Sequence, residues 1–313
     1  MSSRVPMRDG YGKALMELCE KRKDVMVLDA DVAKSTRTVW IRDKYPEHFL
    51  DMGISEQDMV GTAAGLALSG MVPFASTYCV FLAGRAWDQI RTTVCYNNLN
   101  VKLGGAHAGI SVGPDGATHQ ALEDVALMRV LPNMTVIVPC DAEETRKATL
   151  AMAERQGPCF VRFGREAVPV VTDENTPFEI GKARLCREGS DVTVFANGAM
   201  VFEAQNAADA LAKEGISVRV YDLHTVKPLD EEAVLKAAEE TGCVVTAEEH
   251  QVNGGMGGAV AECLAKHCPV PMEFVGMQDS FGESGDPQEL MDKYGLNQKT
   301  VEEKIRKVLS RKR

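Results

Sequence analysis

Three short segments of this 313-residue chain concentrate residues that can hold or move protons or present a ring face. The first, Asp51-Met52-Gly53-Ile54-Ser55-Glu56-Gln57, delivers one carboxylate, Glu56, to the start of an apolar helix rich in small residues. The second, Thr77-Tyr78-Cys79-Val80-Phe81, places an aromatic pair on a turn that follows a strand. The third runs from His107 to Gln120 and carries His107, Asp115 and His119 in a glycine-rich loop. Taken singly, each has a plain structural reading. Glu56 suits the positive end of a helix dipole, Tyr78 and Phe81 suit a core, and a loop histidine suits a surface. Their common position just after strands points instead to a ligand, because open α/β sheets bind beyond the carboxyl ends of their strands.

The elements that must position these groups alternate along the chain. Short β-branched runs at Val25–Leu28, Val72–Ser76, Val101–Leu103, Thr135–Val138 and Phe160–Phe163 are separated by helical stretches at Gln57–Leu68, Ala83–Tyr96, Gln120–Val130 and Ala142–Glu154. Such alternation predicts an α/β fold with a mostly parallel sheet covered by helices. Regularity lapses between Gly164 and Ser190, then strands and helices alternate again from Val192 onward. The reading is two consecutive α/β domains, 1–165 and 191–313, with a linker at 166–190.

An apolar fraction of 45% and a charged fraction of 26% are those of a soluble globular protein. The formal charge of -10 argues against nucleic acid as a partner. With no apolar h-region at the start and no run long enough to span a membrane, a cytoplasmic address is expected. Nine cysteines lie scattered without CxxC spacing, so neither disulfides nor zinc are inferred; the nearest approach to a metal site is Cys263, His267 and Cys268.

In their order and spacing the three segments resemble the pyrimidine-binding domain of transketolases, thiamine-diphosphate (ThDP) enzymes. The similarity extends over Gly12-Lys13-Ala14-Leu15, Asp29-Ala30-Asp31, Gly53-Ile54-Ser55-Glu56-Gln57, Gly65 to Gly70, Asp115-Gly116-Ala117-Thr118-His119-Gln120 and Pro132-Asn133-Met134. Glu248-Glu249-His250 and Gly254-Gly255-Met256-Gly257-Gly258 are similar to the family's C-terminal domain. The most specific element is the run from Asp115 to Gln120, opening eight residues after His107.

The resemblance implies roles. Glu56 would donate a hydrogen bond to N1′ of the cofactor's aminopyrimidine, which requires a protonated carboxyl and hence burial, expected among Met52, Ile54 and Met59. Phe81 would stack on the pyrimidine with Tyr78 beside it, and Asp31 falls on a cofactor-site aspartate. His107 and His119 match histidines that bind donor hydroxyls and assist proton transfer, and Asp115 matches a hydroxyl-binding aspartate. Arg8, Ser35 and Arg165 match residues that hold the sugar phosphate. Where many transketolases place a third aromatic, this chain has Gly84, so the outer wall of the pocket departs from the family pattern.

The family's Gly-Asp-Gly motif, which with a downstream asparagine holds Mg²⁺ and the diphosphate, is absent; the only Gly-Asp is Gly285-Asp286, followed by Pro287. A hard Mg²⁺ ion needs oxygen ligands. The resemblance therefore implies the C-terminal subunit of a split transketolase, with an N-terminal subunit supplying the metal site in an α2β2 assembly that acts on sugar phosphates. A deoxyxylulose-phosphate synthase is the nearest competitor, but that family shows arginine where His107 stands and one residue fewer before the aspartate. The β subunit of a 2-oxoacid dehydrogenase lacks the Asp115–Gln120 pattern, and a silent assembly subunit would have no need of Glu56, Phe81, His107 and His119.

Overall fold

A computed structural model describes residues 3–312. The first half contributes β1 (Arg4–Pro6), β2 (Val25–Asp29), β3 (Phe49–Asp51), β4 (Val72–Tyr78), β5 (Lys102–Ala106), β6 (Thr135–Ile137), β7 (Cys159–Arg162) and β8 (Ala167–Pro169). The second contributes β9 (Arg184–Arg187), β10 (Val192–Ala196), β11 (Val218–Asp222), β12 (Thr225–Lys227), β13 (Val244–Gln251) and β14 (Met272–Met277). A seven-stranded sheet runs β12-β6-β7-β5-β4-β2-β3, and a five-stranded sheet runs β14-β13-β10-β11-β9. Every neighbouring pair in both is parallel except β12 on β6 and β9 on β11. The expected pair of mostly parallel α/β sheets is what the chain forms.

Parallel strands sandwiched between helix layers are buried on both faces and read as unbroken apolar runs. The fully buried β5, β6 and β7 and nearly all of β4 are so placed, with the charged ends Lys102 and Arg162 the exceptions to an apolar run. Strands β1, β3, β8, β9 and β12 are short and only partly buried, and the sequence does not reveal them. Two of them organise the segment read as a linker: β8 pairs with β1, and β9 edges the second sheet. No helix is long and apolar enough to cross a membrane.

The two halves share a core. One apolar cluster includes Val136 and Phe160 of the first sheet together with Leu223, Val244 and Met256 beyond it. Buried Arg162 ties them further: Nε donates to Asp124 at 2.8 Å and Nη2 to the carbonyl oxygen of Glu249 at 2.7 Å. The last helix, Gln298–Leu309, closes the second half through Val301, Ile305 and Val308, one face at i, i+4 and i+7. Each such fully buried side chain stabilises the fold by roughly 1.5–3 kcal/mol.

Candidate active site

The carboxyl ends of the parallel strands gather the candidate residues. Beyond β2, the buried carboxylate of Asp29 accepts hydrogen bonds from Thr36 Oγ1, Thr38 Oγ1 and the Val32 amide, each at 2.7 Å, fixing the loop that carries Asp31 and Ser35. Beyond β3, Glu56 is the first residue of the helix Glu56–Leu68. At β4, Tyr78 ends the strand and Phe81 lies in the helix Cys79–Arg85, so the pair is not on a turn as the sequence suggested. The long helix expected at Ala83–Tyr96 starts earlier, at Cys79, and is broken after Arg85 and again by a π-helical stretch at Ile90–Cys95.

His107 follows β5 with φ at 54°, a backbone conformation uncommon outside glycine and often met at functional sites. Its ring stacks on Tyr78 with centroids 4.4 Å apart, and Arg8 Nη1 approaches Nε2 at 3.4 Å. A guanidinium only donates, so Nε2 accepts and the ring proton sits on Nδ1, which is buried without a partner. Arg8 also donates to the Ser35 carbonyl at 3.4 Å, and Ser35 Oγ lies 3.0 Å from the Tyr78 hydroxyl. Two residues on, Gly109 is obligatory: its φ is 85°, and a Cβ there would stand 2.1 Å from Glu249 Oε1.

Glu56 is 1% exposed, and Arg85 Nη1 donates to its Oε2 at 2.8 Å. The same guanidinium lies over the Phe81 ring, 4.4 Å from its centroid. Phe81 meets His119 edge to face at 5.2 Å, and His119 Nδ1 lies 2.9 Å from Thr118 Oγ1. Contacts therefore run unbroken from Glu56 through Arg85 and Phe81 to Tyr78 and His107, and on to Arg8 and Ser35. Asp115 pairs with Arg165 at 3.3 Å, and Arg165 also meets Glu166 at 3.4 Å. Exposed Asp31 makes no side-chain hydrogen bond to these groups among the described residues.

Against known proteins, the family model described as transketolase, pyrimidine binding domain matches residues 3–171, and that described as transketolase, C-terminal domain matches residues 181–301. The chain belongs to the transketolase family. It is 42% identical to a 6-deoxy-6-sulfo-D-fructose transketolase subunit from a Clostridium species, covering 98% of this chain and 95% of that one. It is 37% identical to an apulose-4-phosphate transketolase subunit from Phocaeicola vulgatus, covering 95% of each. Among solved structures, a split-gene transketolase described as an inactive β4 tetramer superposes with a TM-score of 0.93 at 49% identity, covering 99% of this chain and all of that one.

The cover of Glu56 differs from the sequence reading. Of the three residues expected to bury Glu56, Met59 is fully buried but Ile54 is 74% exposed. Arg85, which the sequence reading passed over, supplies the missing cover, and it leaves the Glu56 oxygen it touches accepting rather than donating. At Gly84 a Cβ would meet nothing within 4 Å, so no neighbouring group fills the place of a side chain there. The glycine cluster at 254–258 packs closely around a buried carboxylate. Glu248 accepts the Met256 and Gly257 amides at 2.7 and 2.8 Å, filling the helix N-terminus with a carboxylate of the chain itself, and a Cβ on Gly255 would stand 2.3 Å from it.

Burial, and after it the charges of Arg8 and Arg165, His119 and Arg37, pull the pKa of His107 down to about 3. An unfolded chain protonates this ring near pH 6.5, as a free histidine does. Between these values the unfolded state holds the extra proton, so stability is lost as pH falls, by about 2 kcal/mol at pH 5. We expect His107→Asn to reduce the drop in thermal midpoint between pH 7 and pH 5 by a few degrees. An unchanged drop would show that His107 titrates normally in the folded chain.

Proposed function

We propose that this chain is the pyrimidine-binding and C-terminal subunit of a split transketolase, which transfers a two-carbon ketol unit between sugar phosphates. The observation that carries the reading is the bridge at Glu56. A single planar guanidinium touches both a fully buried carboxylate and the face of Phe81. The space between them takes a flat ring that stacks on Phe81 and turns a ring nitrogen to the Glu56 carboxyl, which once protonated donates to it; an aminopyrimidine has that shape. When bound, ThDP supplies the electron sink.

The chain's own residues do the rest. Glu56 exchanges a proton at a pyrimidine nitrogen, and Phe81 and Tyr78 hold the ring in plane. His107, neutral at working pH, offers its unpartnered Nδ1–H to a donor hydroxyl, with His119 and Asp115 beside it. Arg8, Ser35 and Arg165 line the mouth, and Asp31 is the remaining cofactor-side contact.

Mg²⁺ and the diphosphate do not fit this chain. The one compact set of possible metal ligands among the described residues is Cys140, Glu144 and Asp222. It contains a thiol, and Arg184 donates to Asp222 at 2.8 Å, so it is wrong in softness and charge for Mg²⁺. We therefore assign the metal and diphosphate site to an N-terminal partner with a Gly-Asp-Gly motif, in an α2β2 assembly. Mixing the chain with that partner and following ketol transfer from a ketose phosphate tests the reading.

Arg165 tests the substrate class within it. A charge-assisted phosphate contact is worth roughly 1.5–3 kcal/mol, so Arg165→Ala should raise KM for phosphorylated acceptors about 10- to 100-fold while leaving unphosphorylated ones nearly unchanged. Because Arg165 already shares its charge with Asp115 and Glu166, the lower end is the expected figure. Equal effects on both kinds of acceptor would remove it from phosphate recognition.

A further inference from the structure

Resting on the reading just given, we propose that Arg85 is a stand-in for the cofactor's aminopyrimidine: it takes the ring face of Phe81 and the carboxylate of Glu56, and must leave both when the pyrimidine enters. The two groups it touches, at 4.4 Å and 2.8 Å, are the two that the pyrimidine would use for stacking and for its ring-nitrogen hydrogen bond. Both partners cannot hold them at once.

The surroundings are those of a movable group on a fixed base. The Arg85 side chain is 47% exposed whereas that of Glu56 is 1% exposed, so the cation can return to water but the carboxylate cannot. The contact to Glu56 uses one guanidinium nitrogen, not the two-pronged geometry of the tightest arginine–carboxylate pairs. Next to it, Gly84 presents open space where a side chain would otherwise stand. The backbone stays tethered, because Gln57 Nε2 donates to the Arg85 carbonyl at 3.2 Å and links this helix end to the helix that begins with Glu56.

A stand-in has two consequences. In the isolated chain it keeps a buried carboxylate paired, which stabilises the fold. In the assembled enzyme it competes with the cofactor, and the apparent affinity for ThDP falls by the fraction of molecules in which Arg85 holds the slot. A residue that positioned Glu56 for catalysis and stayed in place would have the opposite effect on affinity.

The test compares wild type, Arg85→Ala and Arg85→Gln, each combined with the partner subunit and saturating Mg²⁺, by titration calorimetry with ThDP; the glutamine variant keeps much of the packing on Phe81 if the alanine variant does not fold. Removing the stand-in should tighten the ThDP Kd roughly tenfold. The isolated Arg85→Ala chain should have a lower thermal midpoint than wild type, and adding Glu56→Gln should recover it. Unchanged or weaker ThDP binding in both variants would overturn the proposal and leave the transketolase reading standing. That reading fails separately, if the wild-type complex binds no ThDP.

Discussion

Replacing Glu56 with alanine should leave the chain folded and lower ketol transfer in the reconstituted complex by roughly 10²- to 10⁴-fold, the range that general acid–base catalysis supplies. The fold should survive because Arg85, the one side chain seen paired with Glu56, is half exposed and can be rehydrated. Activity should not, because among the described residues no other carboxylate pairs with Arg85. Glu56→Gln keeps the shape and one N–H donor, so it should retain cofactor better than the alanine variant, but an amide cannot cycle a proton and turnover should fall nearly as far. Near-wild-type turnover in either variant at saturating ThDP would remove Glu56 from the mechanism.

The second large effect concerns assembly. Alone, the 313-residue chain should show no ketol transfer at any ThDP or Mg²⁺ concentration if, as proposed, the metal and diphosphate site belongs to a partner, since the chain carries no Gly-Asp-Gly sequence. Adding the N-terminal subunit should restore activity, rising to a plateau at equal amounts of the two chains. Exposed Ile54, just ahead of Glu56, is an apolar side chain such a partner could cover. Activity of the isolated chain would mean that an unrecognised set of oxygen ligands completes the site.

Much of this was legible in the sequence, for identifiable reasons. Strands buried on both faces declare themselves by composition, so β4 to β7 stood out, and with them the strand ends that carry Tyr78 and His107. The Asp115–Gln120 run announces itself by local spacing. Other features depend on chain segments far apart. Strand β12 joins the first sheet from beyond β11, and Asp115 meets Arg165 across fifty positions, 3.3 Å apart. Arg85 escaped notice because an arginine near a helix end is ordinarily a solvated charge; only the fold shows it lying on Phe81 and Glu56. Ile54 misled for the complementary reason. An apolar residue beside a buried carboxylate suggests cover, yet its side chain points away and is 74% exposed.

The most direct test of a split site is calorimetric titration of ThDP with Mg²⁺ into the isolated chain and, in parallel, into the chain mixed with its N-terminal subunit. A split site gives no metal-dependent binding at physiological cofactor levels in the first case, and tight binding, one cofactor per pair of chains, in the second. Tight, stoichiometric, Mg²⁺-dependent binding to the isolated chain would contradict it.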